Sequence, residues 1–327
     1  MRRFRAGCGI AEYLILSLTA YSLSVSPSAA IGFDGDDFLI TTISGAVVVY
    51  DHDLSYKGVL FSGFNVVAMT FDHQGNVVVA HASPTAELRV YDRSGTWLTS
   101  RSFTNPELQS PFDIDVAADG HYYVATQFLH VRDFSPAGDF VGTFTNSVTN
   151  HMSGVALLPG GIVWTSASPN ASVPEQNFIS INDQSTRAQI GSISLDHGQK
   201  SANFLLYSSN TNTVLIADRL GNAIVERDTS GKYIRNFTAD GFQTANVMRG
   251  PDGDVFSMQP MNRLYSWDVN GNFLGVTNLA GDALRAPLLW AGNAVPESAA
   301  IVIATMGGLV LIALRPPRPP LNFFARR

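Results

Sequence analysis

Short runs in which apolar and polar residues alternate recur through most of the chain. Six of them end in aspartate: VVVYD at Asp51, LRVYD at Asp92, LHVRD at Asp133, ISIND at Asp183, AIVERD at Asp228 and LYSWD at Asp268. A period of two puts successive side chains on opposite faces, so each run reads as a half-buried strand. The aspartates lie 41, 41, 50, 45 and 40 residues apart. Between them a second motif repeats, a turn followed by a β-rich run: FDHQGNVVVA from Phe71, VAADGHYYVA from Val116, LLPGGIVWTS from Leu157, SSNTNTVLIA from Ser208 and GPDGDVFSM from Gly250. FDGDDFLIT from Phe33 is its earliest copy. Asp-Gly, Gly-Gly and Asn-rich pairs supply the positive φ that tight hairpins need. In DRSG at Asp92, DTSG at Asp228 and DVNG at Asp268 the aspartate opens a further turn. Its carboxylate is expected to accept backbone N–H groups while the glycine takes the left-handed conformation. The aromatic residues two positions beyond that glycine, Trp97, Tyr233 and Phe273, with Phe140 after Gly138, are expected to pack between neighbouring sheets.

Two motifs per unit of about 45 residues make four strands per repeat, and six such units predict an all-β fold, a six-bladed β-propeller of four-stranded blades. The first copy begins at a turn and so lacks its innermost strand, whereas LRAPLLWAG, from Leu284 to Gly292, follows the last complete repeat. That leftover segment is expected to pair into the first blade and close the ring, satisfying two sheet edges that would otherwise stay open. No sustained 3.6-residue period occurs between residues 31 and 292, so almost no helix is expected there. The longest spacing, Asp133 to Asp183, marks an insertion around SASPNASVPEQN.

The two ends of the chain have a different texture. Arg2, Arg3 and Arg5 precede a mostly apolar stretch from Tyr13 to Val25, and SPSAA ends at Ala30 with small residues. Residues 1–30 therefore read as a secretory signal, to be removed by signal peptidase. Residues 293–327 form a tail in which Ser298 to Leu314 is an uncharged apolar run of 17 residues, followed by Arg315, Arg318, Arg326 and Arg327. As a helix this run would span about 25 Å, enough for a short membrane crossing. The arginines place its far side in the cytoplasm and the body, residues 31–292, outside.

Composition narrows the partners. With 45% hydrophobic and 15% charged residues the chain can build a core. The net charge is -6 for the whole chain, but residues 31–297 hold 14 Lys and Arg against 26 Asp and Glu, a net of -12. An acidic body without a basic cluster repels phosphate backbones, which argues against nucleic acid. Cys8 is the only cysteine and falls within the signal, so the exported part has neither disulfides nor thiolate metal sites.

Two resemblances add expectations. The tail, Val295-Pro296-Glu297, then an apolar helix, then arginines, resembles the PEP-CTERM sorting signal of Gram-negative bacteria, with Ser298 where that signal usually has a second proline. The resemblance implies processing by a membrane exosortase and delivery to the cell surface or extracellular matrix. The body resembles NHL-type six-bladed propellers, best in DGHYYVATQFLHVRDFSPAGDF from Asp119 and PDGDVFSMQPMNRLYSWDVNGNF from Pro251. Among six-bladed propellers, gluconolactonase-like and streptogramin-lyase-like enzymes hold a metal at the channel mouth with carboxylate, Asn or His side chains. By that likeness the polar residues at or just before the innermost strands, Asn65, Asp113, His151, Asn203 and Asn246, are candidates. Asp113, Asn203 and Asn246 would form a ligand set for Ca²⁺ or Mg²⁺ that polarises a substrate carbonyl. The plainer reading is preferred: these groups satisfy backbone and line a wet channel. DGDD at Asp34 and DVNGN at Asp268 lack the glutamate of a calcium loop. No histidine pair, nucleophile elbow or phosphate loop occurs. His73 and His121 are expected to be solvated, and Arg132 and Arg227 to be exposed strand residues. The expected function is that of an exported, surface-anchored or matrix-delivered binding module rather than an enzyme, its partner an extracellular polysaccharide or envelope protein. The alternative is a metal-dependent lactonase- or lyase-like propeller enzyme.

Overall fold

The computed structural model describes residues 31–290 apart from 64, 83–85, 127–129, 145–151, 168–177, 245, 251, 260–261 and 281–283. The chain is a six-bladed β-propeller: the described strands form six four-stranded antiparallel sheets. We number the blades in chain order. Their innermost strands are Leu284–Trp290 in blade 1, Val66–Phe71, Pro111–Val116, Met152–Leu158, Phe204–Ser208 and Met248–Arg249. Blade 1 is built from both ends of the fold, because Leu284–Trp290 pairs antiparallel with Phe38–Thr42. This is the ring closure expected of the leftover segment. The helical content of the described residues is two three-residue 3-10 turns, Thr99–Arg101 and Pro106–Leu108.

The core is divided among the seams between blades. Leu39, Val47, Val49 and Leu60 of blade 1 pack on Val66, Val77 and Val79 of blade 2. At the seam of blades 5 and 6, Leu215, Ile224 and Phe237 meet Val255, Tyr265 and Trp267. Both faces of an inner blade are covered, which is why VVVA and TVLIA run almost without polar interruption.

The turns form as the sequence implies. Asp92 Oδ1 accepts the N–H groups of Ser94 and Thr96 at 2.9 Å each, and Gly95 adopts φ +77°. Asp228 serves Ser230 and Lys232, and Asp268 serves Asn270 and Asn272. The repeat at Asp133 departs from this rule. There Ser135 takes the turn position, with its Oγ accepting the Asp139 N–H, while Asp133 is buried and pairs with Arg187 and His121.

Two expectations are corrected. Trp97, Phe140 and Phe273 are exposed, because the turn feeds the outermost strand of each blade, a sheet edge turned to solvent. Arg132 and Arg227 are buried. Arg227 sits where blades 3 and 6 carry Phe134 and Trp267, and its guanidinium binds the Gly231 carbonyl, Asp196 and Gln199. No helix of the described residues is long and apolar enough to cross a membrane. The signal at 1–30, the apolar run at 298–314, the motif Val295-Pro296-Glu297 and the insertion at 168–177 all lie outside the described residues.

Candidate functional site at the channel mouth

An innermost strand has one edge without a partner strand, and its N–H groups on that side point into the channel. Asp113 and Asp115, two residues apart on Pro111–Val116 and so on one face, supply acceptors for them. Asp113 Oδ2 accepts the Val155 N–H at 2.9 Å, and Asp115 Oδ2 accepts the Leu157 N–H at 2.8 Å, both on the inner strand of blade 4. Their Oδ1 atoms take the N–H groups of Ile114 and Val116. The Leu205 N–H of blade 5 also bonds Asp113, so this carboxylate lies where three inner strands meet. Gly154 makes room: a Cβ there would stand 3.1 Å from the Leu205 nitrogen and 2.6 Å from Ser166 Oγ.

Burial dominates the electrostatics of this pair. It raises the Asp113 pKa well above the ordinary carboxylate range, against the pull of the Val155 and Ile114 N–H groups, and the neighbouring Asp115 charge raises it further. Burial likewise raises Asp115 to about 6, opposed by the Leu157 and Val116 N–H bonds and by His73. The groups that make the blade-to-blade hydrogen bonds therefore hold their protons more tightly than a free aspartate does.

The remaining candidates lie at the starts of the inner strands, at one end of the channel. Asn203 donates its backbone N–H to the Ala217 carbonyl at 2.9 Å, and its Oδ1 is buried with no hydrogen-bond partner among the described residues. Asn246 is almost wholly buried. Its Oδ1 accepts the Met258 N–H at 3.1 Å, which fixes the amide orientation, and its Nδ2 is left without a partner. Asn65 donates its N–H to His81 Nε2 at 2.8 Å. His151 lies outside the described residues.

For a hard cation, Asn203 Oδ1 and the remaining lone pairs of Asp113 are suitable donors. Asn246 has a donor N–H to spare instead of a lone pair, which suits a carbonyl or anionic oxygen. Among the described residues no group of three or more His, Cys, Asp or Glu could hold a metal ion. Sequence reasoning missed Asp115, His81 and Gln259, whose Nε2 is also buried without a partner. The alternation in FDIDV puts Asp115 on the face of Asp113, and that signal was available.

No protein-family model matches the chain, and no curated protein sequence matches it. Solved structures do share the fold. A nidogen/laminin complex chain aligns with a TM-score of 0.63 at 10% identity, covering 77% of this chain and 97% of that one. A streptogramin B lyase aligns with a TM-score of 0.52 at 14% identity, covering 76% of each chain. A catalytically inactive histidine-to-alanine variant of virginiamycin B lyase from Staphylococcus aureus, with quinupristin, aligns with a TM-score of 0.52 at 13% identity, covering 67% and 71%. At these identities the likeness concerns the fold. It corrects the expectation of a module that is not an enzyme, because the same six-bladed frame is carried by lyases.

Proposed function

We propose that the protein is a propeller enzyme of the lyase or lactonase kind, acting at the channel mouth formed by Asp113, Asn203 and Asn246. One observation carries this reading: two buried amide atoms at the starts of inner strands, Asn203 Oδ1 and Asn246 Nδ2, have no partner among the described residues, and a third inner strand carries the buried carboxyl of Asp113. Buried polar atoms are nearly always satisfied, so a pair left over at the mouth of a channel points to a ligand. Asn203 Oδ1 and Asp113 would hold Ca²⁺ or Mg²⁺, and Asn246 Nδ2 would donate to a substrate carbonyl oxygen. When bound, such a cation polarises an ester or amide carbonyl. The fold likeness to a streptogramin B lyase makes a streptogramin B, beside lactones, a first substrate to try.

The test is elemental analysis of dialysed protein, with melting curves in EDTA, Ca²⁺ and Mg²⁺, followed by a ring-opening screen against lactones and a streptogramin B. A stoichiometric cation that raises the melting temperature, lost in Asn203→Leu, is expected, together with turnover lost in Asn246→Leu. Protein without cation, thermal shift or turnover overturns the proposal.

Export belongs to the same reading. Its support is the charge pattern of the ends, with the PEP-CTERM likeness of Val295-Pro296-Glu297 and the NHL likeness of the repeats. Expression in a Gram-negative host, with N-terminal sequencing and fractionation, is expected to give a mature chain starting at Ile31 outside the inner membrane. An intact Met1 in the cytosol refutes it.

A further inference from the structure

The residue that follows the turn after the third strand is a large aromatic in five blades, Tyr56, Trp97, Phe140, Tyr233 and Phe273, and is Gln189 in blade 4. Tyr233 is half-buried under the His197 ring, stacked at 3.9 Å. The other four are between 42% and 47% exposed. Solvent-facing edge strands usually carry charge at such positions, and four of the six here carry exposed aromatic rings. Each stands beside a polar turn, as Trp97 does with Thr96 and Phe273 with Asn272.

We propose that this rim is a docking surface for an uncharged polysaccharide, each ring a platform for the apolar face of one sugar and each turn a source of hydrogen bonds to its hydroxyls. Two features favour this occupant. The exposed rings stand in blades 1, 2, 3 and 6, one to a blade and separated by polar turns, and do not merge into the contiguous apolar patch that marks a protein–protein site. The net charge of -12 on residues 31–297 opposes anionic lipid, nucleic acid, acidic polymers and a second copy of the chain, and costs nothing against a neutral polymer. Sites repeated around a ring also let a long polymer engage several weak platforms together. The rim is distinct from the channel mouth, and this inference does not depend on the activity proposed there.

The test is native electrophoresis of the full chain in neutral detergent, through gels containing dextran, laminarin or hydroxyethyl cellulose and through a gel without polymer. Retardation of at least twofold is expected in one of the three. It should weaken in Trp97→Ala, Phe140→Ala and Phe273→Ala, vanish in the triple variant at unchanged melting temperature, and persist in Asp113→Ala. Tryptophan emission of the unaltered protein should change on adding the retarding polymer, since Trp97 is exposed while Trp164 and Trp267 are buried. Equal mobility in all four gels, retardation that survives the triple variant, an unchanged emission spectrum, or a concentration-dependent mass in sedimentation that the triple variant abolishes would each overturn the proposal.

Discussion

Gly95, Gly138 and Gly231 each meet two demands. Each closes an aspartate- or serine-capped turn with φ between +77° and +91°, a region that side chains enter at a cost of about 1–3 kcal/mol. Each also presses its Cα against the outer strand of the preceding blade. A Cβ would strike the Leu60 carbonyl at Gly95, the Phe103 ring at Gly138 and the Ile193 side chain at Gly231. Gly95→Ala is therefore expected to lower the melting temperature by about 5–10 °C, since a domain of this size shifts by about 2–4 °C per kcal/mol. Gly35→Ala, with nothing within 4 Å of the new Cβ, should leave it unchanged, and calorimetry of the two variants decides. The turn glycines and their aspartates were legible in the sequence because the whole motif spans four residues. Arg227 was not, because the groups that satisfy it, Asp196 and Gln199, lie 31 and 28 residues earlier in the chain.

The inner strands are the elements on which the channel depends, and one of them carries its own pH dependence. Asp115 has a pKa of about 6 in the fold and near 3.8 unfolded, so the native state holds the proton more tightly. By linkage this group's contribution to stability is complete below pH 3.8 and is lost as the pH rises through 6. Denaturant midpoints of the native protein should thus fall between pH 5 and pH 8, and Asp115→Asn should flatten that slope. Below pH 4 the turns act in the opposite sense. The Thr186 N–H and the Ser185 and Thr186 hydroxyls hold Asp183 down to about 2, and the Ser230 hydroxyl and turn N–H groups hold Asp228 low despite partial burial. Their contribution is present above the unfolded pKa and lost as the pH falls through the folded one. The repeat register revealed where inner strands begin, and so Asp113, Asn203 and Asn246. The hydrogen bonds of Asp113 run between blades, as from the Val155 N–H 42 residues later, and no local pattern encodes them, whereas those of Asn203 and Asn246 stay within their own blades. The outer-strand aromatics were misplaced for a related reason: alternation identifies a strand without saying whether it lies at the channel or at the rim.

At the scale of the whole molecule the ring is held by the pairing of Leu284–Trp290 with Phe38–Thr42. A chain ending at Ala283 should lose cooperative thermal unfolding, because blade 1 then has an open edge beside Leu39 and Ile40. One ending at Asn293 should melt as a single transition, and circular dichroism distinguishes the two. Closure was readable from counting strands, since a first repeat one strand short and a surplus strand at the far end have one economical solution. The same pairing sets a timetable. Ile40 leaves the ribosome early and meets Leu288 only after nearly all of the intervening chain has been made, so the first hairpin must wait with its edge bare. Its aggregation hazard is thus greatest during biogenesis, and a holding chaperone would be needed for the nascent chain more than for the finished ring.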